Sequence, residues 1–84
     1  MNEEKKIVMY TTNWCSDCHR AKYVLNEYGI EYDNIDVEAD PEGLAFVKEV
    51  NNGNRVVPTI VFPDGSILVE PTNRALAEKV GIEL

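Results

Sequence analysis

The chain has 84 residues, 44% of them hydrophobic, with fifteen acidic against eight basic side chains and a formal charge of −7. A chain this short cannot divide its apolar residues between two cores, so a single domain over residues 1–84 is expected. Negative charge repels phosphate backbones and anionic lipid, so neither nucleic acid nor membrane is an expected partner.

The first residues, Met1 to Lys6, are polar and charged, and no apolar run follows them that would make a signal peptide or a membrane span. A cytoplasmic protein is therefore expected. A first strand is predicted from Lys5 to Thr11, where Ile7, Val8, Met9 and Tyr10 form a short apolar run with β-branched members. Between Ser16 and Tyr28, Ala21, Val24, Leu25 and Tyr28 recur at helical spacing, and Gly29 supplies a stop. A second, partly irregular strand is predicted from Ile30 to Val37.

Asp40 followed by Pro41 reads as an N-cap and first helical position. The helix carries Leu44, Phe46, Val47 and Val50 on one face and ends near Asn51. Thr59 to Phe62 and Ser66 to Val69 flank Pro63-Asp64-Gly65. The Asp-Gly pair readily takes the positive backbone angles of a tight hairpin turn. Thr72 caps a last helix that passes through Ala75, Leu76, Ala77 and Val80 and stops at Gly81. The order β-α-β-α-β-β-α implies an α/β fold: two β-α-β units with right-handed crossovers, then a hairpin and a covering helix. It would form a four-stranded mixed sheet with helices on both faces.

The two cysteines carry the chemistry. Cys15 and Cys18, in Trp14-Cys15-Ser16-Asp17-Cys18, sit where the first strand hands over to the first helix. Unpaired amides and the helix dipole favour an anion at that point and lower a cysteine pKa from about 8.5 into the range of roughly 3.5 to 7.5. Cys15 is therefore the expected nucleophile. Cys18, nearly one turn on, is placed to resolve a mixed disulfide. Asp17 opposes a thiolate, and a cation from His19, Arg20 or Lys22 would offset it. A mononuclear zinc site would need two further ligands, and His19 is the only histidine, so no metal is expected. A proline before the third strand, in Val57-Pro58-Thr59, can take the cis form and ends strand pairing.

The whole chain resembles a glutaredoxin, with Cys15-Ser16-Asp17-Cys18 as the active-site motif and Val57-Pro58 as the cis-proline loop. Within that family it is similar to the mycoredoxin group in Thr11-Thr12-Asn13-Trp14-Cys15, in Val50 to Thr59 and in Phe62-Pro63-Asp64-Gly65-Ser66. The resemblance implies a thioredoxin-like fold, working as a monomer that reduces protein disulfides or S-thiolated proteins. No tightly bound cofactor is implied, only a low-molecular-weight thiol, mycothiol or glutathione, as co-substrate. It further implies a groove formed by Thr12, Trp14, Val57, Pro58, Thr59, Thr72 and Asn73, in which Val57 offers its backbone to an extended substrate.

Several positions depart from typical glutathione-using glutaredoxins. Thr12 stands where many carry lysine, Glu70-Pro71 replaces paired glycines, and Asn73 falls near an acidic position. These changes weaken complementarity to glutathione. Two other functions fit the same residues less well. An iron-sulfur cluster held by a thiol-bridged dimer is permitted by Cys15-Ser16-Asp17-Cys18 but needs a second copy and a bound small thiol. A redox-inert binding module would have no need of both cysteines.

Overall fold

The computed structural model describes residues 6–84. Its elements run β1 (Ile7–Thr11), α1 (Ser16–Glu27), β2 (Tyr32–Asp36), α2 (Pro41–Val50), β3 (Thr59–Val61), β4 (Ile67–Val69) and α3 (Asn73–Val80). The order matches the expected one, with the strands and the first two helices a residue or two shorter at their ends and the last helix bounded by Thr72 and Gly81 as expected. Lys5, the expected start of β1, lies outside the described residues.

Helix boundaries follow local chemistry. Asp40 Oδ1 accepts from the Glu42 and Gly43 amides, with Pro41 supplying the fixed φ of the first turn of α2. Thr72 Oγ1 accepts from the Ala75 amide at 3.0 Å, and Gly81, at φ 81°, takes the left-handed position that ends α3. Gly43 permits a close crossing: a Cβ there would fall 2.8 Å from Ile35 Cγ2, which would hold α2 away from β2.

The sheet order is β2-β1-β3-β4, with β1 and β2 parallel, β1 and β3 antiparallel, and β3 and β4 antiparallel. Only the first of the two expected β-α-β units therefore has a parallel crossover. After α2 the chain turns through Asn52 and Gly53, both at positive φ, and enters β3 from the end where β1 finishes, pairing Tyr10 with Thr59. That reversal has a functional consequence. The last residues of β1, β2 and β4, the first residue of β3 and the N-termini of α1 and α3 all gather at one edge of the sheet.

Alternation along the strands divides the side chains between two faces. Ile7, Met9 and Ile60 point towards α1 and α3 and pack with Ala21, Val24, Leu25 and Leu76 in one buried cluster. On the other face, Tyr10 stacks on Phe46 of α2, with ring centroids 4.9 Å apart. The fold is thus the α/β thioredoxin-like arrangement of a four-stranded mixed sheet and three helices.

The hairpin departs from expectation in its turn. Of the Asp-Gly pair only Gly65 has positive φ, at 91°. The Gly65 amide donates to the Phe62 carbonyl and the Phe62 amide to that of Ser66, the pattern of a type I turn with Pro63 leading and glycine closing it. Asp64 then has another role: its Oδ1 accepts from the Ser66 hydroxyl (2.6 Å) and amide (2.9 Å), and its Oδ2 from Lys79 Nζ of α3 (2.9 Å). These donors, Ser66 first, hold the Asp64 carboxyl well below the usual carboxylate range. A group so shifted stabilises the fold once it is ionised, and the contribution disappears as pH falls through the lowered value. Asp64→Ala is accordingly expected to melt at a lower temperature than wild type at pH 7. The gap should hold from pH 7 to about pH 5 and narrow below that as thermal melts are repeated down to pH 2; a gap independent of pH throughout would sink the ionic account.

Candidate active site

The Cys15-Cys18 pair lies at the sheet edge described above. Cys15 is the N-cap of α1, with extended backbone (φ −90°, ψ 110°), and its sulfur accepts the Cys18 amide proton at 3.0 Å. The two cysteines are joined as a disulfide, their Cα atoms 5.2 Å apart. Cys15 retains 8% exposure and Cys18 none, so only the first sulfur can be approached from solvent. The burial follows from helix geometry: Cys18, Ala21 and Leu25 share the apolar stripe of α1, while Cys15 caps its open end.

The Val57-Pro58 bond is cis, and the Val57 carbonyl oxygen lies 3.8 Å from Cys15 Sγ. Pro58 itself is fully buried. Thr59 locks the loop from beneath, its hydroxyl donating to the Val56 carbonyl at 2.7 Å and accepting from Asn51 Nδ2 at 3.3 Å. The Glu70 amide, at the end of β4, donates to the Pro58 carbonyl at 2.9 Å and ties the loop to the approach to α3.

Beside Cys15 opens a groove of about 460 Å³. Trp14, Ser16 and Asp17 form one wall with Cys15, Arg55 to Val57 form the other, and Glu70 closes an end. The Trp14 ring is 63% exposed. Its Nε1 donates to Glu38 Oε2 at 3.0 Å, Arg55 lies 5.7 Å over the ring centroid, and the Arg55 guanidinium pairs with Glu38 at 3.7 Å. An exposed cation over an indole face contributes about 0.5–1 kcal/mol, enough to bias where that ring lies over the groove.

Of the residues expected around the groove, the structure brings Trp14 and Val57 to it with Cys15. It does not bring the others there as ligand-facing side chains. Thr12 is fully buried, and its Oγ1 has no hydrogen-bond partner among the described residues. Thr59 is equally buried and spends its hydroxyl on the loop. Thr72 uses its hydroxyl to cap α3. Asn73 Oδ1 is taken by Arg20 Nη1 at 2.6 Å, and the same guanidinium reaches Asp17 through Nη2 at 3.1 Å. Arg20 is therefore the cation that offsets Asp17. His19 instead donates through Nε2 to the Asn13 carbonyl at 2.9 Å.

Sequence reasoning did not single out Glu38 or Arg55 as site residues. Glu38 reaches Trp14 only because β2 ends beside β1, a long-range pairing with no local signature. Arg55 stands three residues before Pro58, and its distance from the cis-proline was the one available signal.

The family model for glutaredoxins matches residues 7–67, a span from the start of β1 to the start of β4 that contains both cysteines and the cis-proline loop. The chain belongs to the glutaredoxin family. A Mycobacterium tuberculosis protein named as a glutaredoxin is 46% identical to it over 66 residues, covering 79% of each chain. Mycoredoxin 1 of Corynebacterium glutamicum is 39% identical over 74 residues, covering 88% of this glutaredoxin and 91% of that protein. Among solved structures, a mutant of the thioredoxin-like protein BC3987 superposes with a TM-score of 0.82 at 25% identity, over 95% of this glutaredoxin and all of that chain. With its CxxC pair joined as a disulfide at the groove, this glutaredoxin is a thiol-disulfide oxidoreductase.

Proposed function

We propose that this glutaredoxin reduces protein disulfides and mixed disulfides between proteins and a low-molecular-weight thiol, with Cys15 as nucleophile and Cys18 as resolving thiol. The observation that carries the assignment of roles is the difference in access: Cys15 opens onto the groove and accepts the Cys18 amide, while Cys18 lies fully buried behind it.

In the first step the Cys15 thiolate attacks one sulfur of the substrate disulfide. A Cys15–substrate disulfide forms, the substrate S–S bond breaks, and the other sulfur leaves as a thiolate that takes a proton from water. Helix position supports this step, since the α1 N-terminus and the Cys18 amide both stabilise negative charge on Cys15 sulfur. In the second step Cys18 loses its proton and attacks Cys15 sulfur, expelling the reduced substrate and closing the internal disulfide. Two electrons have then passed from the dithiol to the substrate. Two molecules of small thiol restore the dithiol and are themselves oxidised to one small-molecule disulfide.

Mycothiol is the co-substrate best supported, by the likeness to mycoredoxin 1 and by the departures at Thr12, Glu70-Pro71 and Asn73 from glutathione-using relatives. We place the protein in the cytoplasm as a single-domain monomer. The test is turnover of matched mixed disulfides of mycothiol and of glutathione on the same peptide, each with its own thiol as reductant. Preference for the mycothiol pair is expected. Equal use of both removes mycothiol as the distinguishing partner, and turnover of neither overturns the oxidoreductase mechanism itself.

A further inference from the structure

The charged side chains that line the groove do not balance. Asp17 is neutralised by Arg20 at 3.1 Å, and Arg55 is neutralised by Glu38 at 3.7 Å. Glu70, the remaining charged residue of the lining, makes no ion pair or side-chain hydrogen bond among the described residues. Glu70 is also set in place: its backbone is in the left-handed region at φ 50°, and its amide is held by the Pro58 carbonyl. Among the described residues the groove thus offers one uncompensated negative charge, on the segment after β4 that is hydrogen-bonded to the cis-proline, in the same groove as Cys15.

The geometry points to Glu70 as a specificity residue that selects polypeptide disulfides bearing a lysine or arginine beside the attacked cysteine, and that disfavours those bearing a carboxylate there. This rests on the oxidoreductase reading given above and narrows its substrate class. A polypeptide fits better than a small amine, because the Val57 carbonyl lies 3.8 Å from Cys15 Sγ and leaves backbone polar groups at the groove for an extended chain to meet. The net charge of −7 acts in the same direction at longer range, drawing cationic partners towards the protein before contact.

Single-turnover rates of the reduced protein would be measured with short peptides whose one cysteine is blocked as a mixed disulfide with 2-mercaptoethanol and flanked by Lys, Gln or Glu. At low salt the Lys peptide is expected to react about five- to tenfold faster per unit concentration than the Glu peptide, with Gln between, and the spread is expected to shrink in 0.5 M salt. Glu70→Gln should compress the spread to within about twofold, and Glu70→Lys should reverse it, as expected for an exposed ion pair. Glu49→Gln, an exposed change in α2 at a residue that does not line the groove, should leave it intact.

An equal spread in Glu70→Gln, or equal compression by Glu49→Gln, would assign the preference to overall charge and overturn the proposal. Cystamine and hydroxyethyl disulfide separate the two sources of a cation: a preference for cystamine as large as that for the Lys peptide would give Glu70 to a small amine and not to a polypeptide. Failure of even the Gln peptide to react would instead refute the oxidoreductase mechanism, a result distinct from loss of selectivity.

Discussion

Cys15→Ser is expected to reduce turnover of every disulfide substrate to the uncatalysed rate, a loss on the order of 10³-fold or more. Serine at the N-cap preserves the cap, because its hydroxyl can still accept the Cys18 amide, so the helix and the groove stay in place. What disappears is a sulfur that ionises near neutral pH. Cys18→Ser should divide the two activities. With a mixed disulfide of protein and small thiol, Cys15 alone can accept the small thiol and pass it to a second thiol molecule, so activity persists. With an intramolecular protein disulfide the reaction stops at the covalent complex, which accumulates as a band of increased mass on non-reducing gels. Loss of both activities in Cys18→Ser would show that the buried sulfur is needed for the first attack, and would overturn the division of roles.

The parts of this site that were legible in sequence are those encoded locally. Cys15 and Cys18 sit at a strand-to-helix junction whose boundary is written in the residues on either side, and Asp40-Pro41, Thr72 and Gly81 mark helix ends by chemistry that acts within a turn. Val57-Pro58 stood out because proline before a strand constrains its neighbours.

What was not legible depends on contacts between distant segments. The direction of β3 could not be read from its own residues, since Thr59 to Val61 would suit a parallel or antiparallel neighbour equally well. That direction decides that Pro58 arrives beside Cys15. The threonines at 12 and 59 show the same limit from the other side: a hydroxyl next to an active-site motif reads as ligand-binding, yet both side chains are fully buried and Thr59 spends its hydroxyl on the Val56 carbonyl. Charge pairing was only half legible. Arg20 meets Asp17 one turn away within α1, a spacing open to reading, but it reaches Asn73 only because α1 and α3 meet at their N-terminal ends, and Glu38 serves Trp14 only through the β1–β2 pairing.

Leu25→Ala is expected to destabilise the fold by about 2–5 kcal/mol. The side chain is fully buried in the cluster that joins α1 to Met9, Ile60 and Leu76, so truncation leaves a cavity lined by three elements. Stability of about 0.05–0.15 kcal/mol per residue puts a chain of this length at roughly 4–13 kcal/mol, so one core truncation removes a large part of it. At about 4–8 °C per kcal/mol for a small domain, the melting temperature should fall by at least ~8 °C. Tyr23→Ala on the exposed side of the same helix is the control, with an expected change within about 0.5 kcal/mol. Because Leu25 lies nearly three turns from Cys15 and is not among the residues that line the groove, turnover per folded molecule, measured well below the melting transition, should match wild type. A loss of activity in the folded variant would mean that docking of α1 on the sheet tunes the cysteine at its N-terminus. A loss of stability below about 1 kcal/mol would mean that the contact of α1 with the sheet is looser than its burial indicates.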